Sequence, residues 1–138
     1  MATRAIVQEQ NIVTQQYLVP ATKTTTKGLA VIFSGADDQV EVAGADSDVA
    51  IGIAKKTCVA GEYCQVALFA YAVVEAVAGT GGVTRGKKQV LVADGFTDAP
   101  ADNGATTPKP TYGFALQTAA AGEKFGLALS GPANRTTT

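Results

Sequence analysis

Three stretches carry residue types that could do chemistry. Gly81-Gly82-Val83-Thr84-Arg85-Gly86-Lys87-Lys88 follows a phosphate-binding loop at its glycines and first lysine. Lys88 stands where Ser or Thr must ligate Mg²⁺, and Gln89-Val90-Leu91-Val92 reads as a strand where such a loop opens a helix. The reading taken is a hairpin loop with basic residues at its mouth. Asp37, Asp38, Glu41, Asp46 and Asp48 crowd one stretch with no basic residue, but their spacing fits no EF-hand, so a solvated acidic loop is expected. Cys58 and Cys64 sit symmetrically about Gly61. A cross-strand disulfide there is geometrically possible. Buried apolar thiols in a reducing compartment are the preferred reading.

Histidine is absent, which removes the commonest general base and metal ligand. Two cysteines without histidine cannot close a zinc site. A Ser or Cys nucleophile would need a Lys or carboxylate base, and no Ser-x-x-Lys occurs. The expectation is a protein that is not an enzyme, with no cofactor and no metal.

The elements around these residues are organised by a repeat. Gly52 to Leu68 and Gly113 to Leu129 align without gaps over 17 positions, with identity at Gly52/Gly113, Ala54/Ala115, Thr57/Thr118, Ala60/Ala121, Gly61/Gly122, Glu62/Glu123, Ala67/Ala128 and Leu68/Leu129. Each copy reads as apolar strand, Ala-Gly-Glu turn, apolar strand. Gly61, Glu62, Gly122 and Glu123 are the turn-forming residues, because glycine supplies the positive φ of a tight turn. In the second copy Ala119 and Phe125 replace the two cysteines, so the unit does not require sulfur.

Further strands are expected at 29–33, 39–43, 69–77 and 89–93, and a long irregular loop over 97–111, where Pro100, Asn103-Gly104, Pro108 and Pro110 cluster. Seven to nine short strands with glycine-rich turns predict an all-β domain, a compact sandwich or small barrel, with helix confined to a turn or two. The expected division is an extended N-terminal arm at 1–27, a β domain at 28–131 and a flexible tail at 132–138.

The arm is rich in Gln and Thr and spaces apolar pairs along its length: Ile6-Val7, Ile12-Val13 and Leu18-Val19, with Tyr17 beside the last. Too sparse to form a core, these residues are expected to dock on a partner. The 138 residues carry a net charge of −1, with 17% charged and 46% hydrophobic residues. Near-neutrality leaves no electrostatic footprint for nucleic acid and suits surface hidden in an assembly. No run approaches the roughly 18 apolar residues of a membrane span, and residues 1–8 have no apolar segment of a signal peptide. Neither a membrane partner nor export is expected.

The order of motifs resembles a known family. Lys27-Gly28-Leu29, Val42 to Asp48, Ile51-Gly52-Ile53-Ala54, Ala60-Gly61-Glu62, Gly113-Phe114-Ala115-Leu116 and Ala121-Gly122-Glu123 follow one another as in the head decoration, or capsid cement, proteins of tailed bacteriophages. The resemblance covers roughly residues 27–130 and rests on Gly, Ala and Glu motifs. It implies a β domain, often a homotrimer, on the outer face of the capsid of a virion. There it would clamp neighbouring major capsid protein subunits, after synthesis in the host cytoplasm. The arm residues would then meet the capsid. The alternatives are another structural virion module of tail or baseplate, a ligand-binding β module and, last, an enzyme.

Overall fold

The computed structural model describes residues 9–44, 49–68, 72–99 and 110–134. All regular structure among them is β. Twelve strands follow one another: β1 (Thr14–Leu18), β2 (Thr24–Thr25), β3 (Ala30–Phe33), β4 (Val40–Val42), β5 (Gly52–Ala54), β6 (Cys58–Val59), β7 (Tyr63–Leu68), β8 (Val73–Val77), β9 (Gln89–Val92), β10 (Gly95–Asp98), β11 (Pro110–Ala115) and β12 (Lys124–Asn134). No helix among the described residues is long and apolar enough to cross a membrane.

The repeat extends well beyond the two stretches visible in the sequence. β5 pairs with β7 as Gly52↔Leu68, Ile53↔Ala67 and Ala54↔Val66, and β11 pairs with β12 as Gly113↔Leu129, Phe114↔Ala128 and Ala115↔Leu127. The outer strands match as well. β1 lies on β7 from Thr14↔Ala67 to Leu18↔Tyr63, and β8 lies on β12 from Val73↔Ala128 to Val77↔Lys124. The β3–β4 hairpin, Val31↔Val42 to Phe33↔Val40, has its counterpart in β9–β10, Gln89↔Asp98 to Leu91↔Phe96.

The first sheet runs β1-β7-β5-β3-β4. The second half runs β8-β12-β11, and the Lys88↔Phe114 bridge continues it into β9-β10 at the place where Ala30↔Ile53 joins β3 to β5. In each half one parallel bridge, Leu18↔Gln39 or Ala78↔Phe96, joins the first strand to the β4 or β10 side and curls the sheet towards a small barrel. The chain is a tandem duplication of a five-stranded antiparallel unit.

The interiors of the two units are filled differently at matching positions. The first holds Val19, Val31, Val40, Ala54, Cys58, Cys64 and Val66. The second holds Ala78, Phe96, Ala115, Ala119, Phe125 and Leu127 within the larger core, with Gln89 buried opposite Val31's place. Two phenylalanines set against two alanines occupy about the space of the first unit's valines and cysteines, as close packing requires. The rings of Phe96 and Phe125 meet edge to face at 6.3 Å, and those of Phe96 and Tyr112 at 6.2 Å.

Four expectations change. Residues 14–27 are built into the first unit: β1 is its edge strand and Val19 is fully buried, because each unit needs a fifth strand to cover its apolar interior. The irregular loop is shorter than expected at both ends, since β10 occupies Gly95–Asp98 and β11 begins at Pro110. β12 runs to Asn134, past the boundary expected at 131, because Pro110 and Thr111 pair with Asn134 and Ala133. Twelve strands replace seven to nine because two-residue strands such as β2 and β6 carry no periodic signal.

Candidate partner-binding surfaces

Each Ala-Gly-Glu turn is fixed by the same two devices. Gly61 and Gly122 adopt φ values of 89° and 87°. The carboxylates of Glu62 and Glu123 accept the backbone N–H groups of Val59 at 2.9 Å and Ala120 at 2.7 Å. The turn then clasps the end of the first strand of its unit. Val19 N–H donates to Glu62 C=O at 2.9 Å and Gly61 N–H to Val19 C=O at 2.8 Å; Ala78, Glu123 and Gly122 repeat this at 2.8 and 2.7 Å.

A second pair of turns is equally well matched. Lys27 N–H donates to Thr57 Oγ1 at 3.0 Å and Arg85 N–H to Thr118 Oγ1 at 3.1 Å. Gly28 N–H donates to Ala54 C=O at 2.9 Å and Gly86 N–H to Ala115 C=O at 2.7 Å. The stretch that resembled a phosphate-binding loop is thus the second copy of a structural turn, and it leads into strand β9.

The cysteines are free thiols, both buried in the first unit. Thr25 Oγ1 lies 3.2 Å from Cys64 Sγ and accepts the Cys58 N–H at 3.2 Å. Burial pushes the Cys64 thiol above its ordinary value, with the neighbouring Cys58 adding to the shift and hydrogen bonds opposing it. That arrangement disfavours a nucleophilic thiolate.

Of the acidic stretch, Asp46 and Asp48 lie outside the described residues. Asp37 and Asp38 are exposed on the β3–β4 turn. Glu41 accepts Ser34 Oγ at 2.8 Å and pairs with Lys23 at 3.5 Å. Among the described residues no three His, Cys, Asp or Glu side chains cluster as metal ligands.

The predicted arm residues separate into three groups. Ile6 and Val7 lie outside the described residues. Ile12, Tyr17, Leu18 and Val19 serve the chain itself to differing degrees. Val19 is core, while Ile12 and Tyr17 pack against the two cores. Tyr17 also meets Phe33 edge to face at 5.8 Å. Leu18 is half-buried and its N–H donates to Asp38 C=O at 2.7 Å. Val13 remains 54% exposed. β1 is an edge strand: Val13 C=O accepts Leu68 N–H, so by antiparallel alternation the backbone groups of Thr14 and Gln16 face away from β7.

The two units meet asymmetrically. Gly28 of the first sits on β8 of the second, where Val77 N–H donates to Gly28 C=O at 3.2 Å. Ala50 N–H donates to Tyr112 Oη at 3.0 Å across the same junction. Glu9 closes it: its carboxylate accepts Glu75 N–H at 2.9 Å and pairs with Lys55 of the first unit. Burial alone would raise the Glu9 carboxyl, but the Glu75 amide and the Lys55 ammonium together hold it below its ordinary value. Sequence reading missed this junction. Its visible signal was Thr26-Lys27-Gly28 against Thr84-Arg85-Gly86, which extends the repeat upstream of the matched stretches.

The fold is a duplicated all-β module. The chain is similar in structure to the N base of head fiber gp8.5 in bacteriophage phi29, with a TM-score of 0.65 and 16% sequence identity over 86% of this chain and 95% of that one. No protein-family model and no curated protein matches it.

Proposed function

We propose that this chain is a structural protein of a bacteriophage head, seated on the outer face of the capsid, where it binds the major capsid protein and clamps neighbouring subunits. The observation that carries this reading is a fold shared over 86% of the chain with the base of a phage head fibre. The order of motifs that resembles the cement proteins supports it independently. Attachment uses Ile6 and Val7, the exposed Val13 and the outward edge of β1. A β edge gains affinity from main-chain hydrogen bonds, so modest side chains suffice there. Homotrimeric assembly would multiply such weak contacts.

The test is co-sedimentation with undecorated expanded heads, comparing the full chain with one that begins at Glu9. The shortened chain keeps β1 and Val19, so it stays folded, and it should lose most of its binding. Failure of the full chain to bind heads would refute the reading. Equal binding by both would exclude Ile6 and Val7 and leave Val13, the β1 edge or another surface as the attachment.

A second reading is that the chain is the base of a longer head projection, as the phi29 base is named for a fibre. A particle map separates the two: density that ends at this domain supports cement, and density that continues outward supports a fibre base.

A further inference from the structure

We infer that copies of this chain join head to tail, the outer face of the second unit around Phe114 seating on the β1–β7 face of another copy's first unit around Tyr63. The contact uses, between chains, the faces that correspond to those holding the two units of a single chain together, without the backbone hydrogen bond of that junction.

The duplication supplies the reasoning. In the first unit Gly28, Ala30 and Ile53 form the face that docks on the second, and all three are buried, Ile53 at 0% exposure. Their counterparts Gly86, Lys88 and Phe114 are exposed, Phe114 at 45%. A Cβ placed on Gly28 would lie 2.7 Å from Val77 Cγ2, whereas one on Gly86 would meet nothing within 4 Å. One copy of the face is covered, and the other is exposed at Gly86, Lys88 and Phe114. The receiving surface differs in residue type and not in exposure: Val77 and Leu18 are both half-buried, and Lys124 and Tyr63 are both exposed. Gly28 rests on Val77, whose cross-strand partner is Lys124. The corresponding pair in the first unit is Leu18 and Tyr63, and Tyr63 is 60% exposed.

Charge points to the same pairing. The bare face carries Arg85, Lys87 and Lys88, all exposed. Around Leu18 and Tyr63 stand Asp37 and Asp38, on the turn whose carbonyl binds Leu18, and Glu62, next to Tyr63. Opposite potentials on two faces of one chain steer copies into one register. The Leu18 N–H is already held by Asp38, so the backbone bond that Val77 makes is not repeated, and the contact between copies is weaker than the internal one. The two faces lie on different units, so the interface is heterologous, and it closes into a ring or propagates according to the rotation it imposes. A homotrimer, as proposed above, is one closed form that such an interface allows. The inference itself stands on the internal repeat, and its test uses no heads.

The test is sedimentation velocity of the full chain over a concentration series at low and high salt, with Phe114→Asp and Tyr63→Asp beside it. The wild type should associate with concentration, and less so at high salt. Each variant should be monomeric at concentrations about tenfold above those at which the wild type assembles. Mixed, the two variants should form a 1:1 heterodimer and nothing larger, because one keeps an intact receiving face and the other an intact Phe114 face. Circular dichroism confirms folding. If Phe114→Asp proves unfolded, Lys88→Glu takes its place at an exposed side chain. A monomeric wild type, a variant that assembles as the wild type does, or a mixture that stays monomeric would each overturn the inference.

Discussion

Gly28 and Gly86 are matched probes of the contact between the units. Both hold positive φ, 89° and 85°, in turns with the same hydrogen bonds. An alanine at either position carries the left-handed penalty of about 1–2 kcal/mol, partly offset by roughly 0.5 kcal/mol through a less flexible unfolded chain. For Gly86→Ala that is the whole effect, because the new methyl enters open space. Gly28→Ala also drives a methyl to 2.7 Å from Val77 Cγ2, so the side chain must turn away or the units must part. Overpacking of this kind costs about 1–3 kcal/mol, and strain on the Val77–Gly28 hydrogen bond adds up to about 1 kcal/mol. Gly28→Ala should therefore lie about 1–4 kcal/mol below Gly86→Ala in stability. Urea unfolding followed by circular dichroism measures this, with Phe114→Asp in both chains to exclude any contribution from association. Val77→Ala should relieve part of the Gly28→Ala penalty, giving a favourable coupling in the double-mutant cycle. Equal midpoints for the two glycine variants, or strict additivity with Val77→Ala, would refute the account of the junction.

Two further outcomes are expected. Cys58→Ala, Cys64→Ala should fold, at a cost of about 1 kcal/mol for each buried sulfur removed, and wild-type thiols should react with a thiol reagent only as fast as the chain opens; immediate reaction of the native protein would contradict their burial. Glu9→Gln should lower stability near neutral pH but not in acid. The folded-state pKa is below the ordinary 4.5, so the carboxylate's contribution is complete above that value and is lost as pH falls through the lowered one. The difference between wild type and Glu9→Gln should hold steady above the ordinary carboxyl value and close as the pH falls below it, and a constant gap would show that Glu9 acts by packing alone.

Much of the fold was legible because strands with one apolar face announce themselves. Val40 and Val42 alternate with Glu41, and Cys64 and Val66 alternate with Gln65, so β4 and β7 could be read directly. β10 was missed because Gly95-Phe96-Thr97-Asp98 contains one apolar anchor and a glycine, and its place depends on pairing with β9. The N-terminal stretch misled for a physical reason. β1 reads Thr-Gln-Gln-Tyr-Leu, and three of its five residues are exposed, as befits an edge strand whose stability comes from main-chain pairing with β7. Composition reports side-chain burial and is blind to that contribution. The junction was hidden for a related reason: Glu9, Lys55 and Glu75 are distant in sequence and ordinary in type.

A duplicated chain also contains its own comparison. Positions that agree between the units, such as Thr57 and Thr118 or Glu62 and Glu123, bind backbone in the same way in both, so they specify the unit. Positions that differ follow two rules. Inside, differences compensate: Phe96 for Val40 and Phe125 for Cys64 are balanced by Ala78 for Val19 and Ala119 for Cys58. On the outside no compensation is required, and there the substitutions track contact. Ala30 and Ile53, covered by the second unit, are matched by Lys88 and Phe114, which face solvent in the single chain. The lysine adds positive charge to that face. A phenylalanine 45% exposed beside it, on the face whose twin is wholly buried, is what a surface retains when its partner belongs to another molecule.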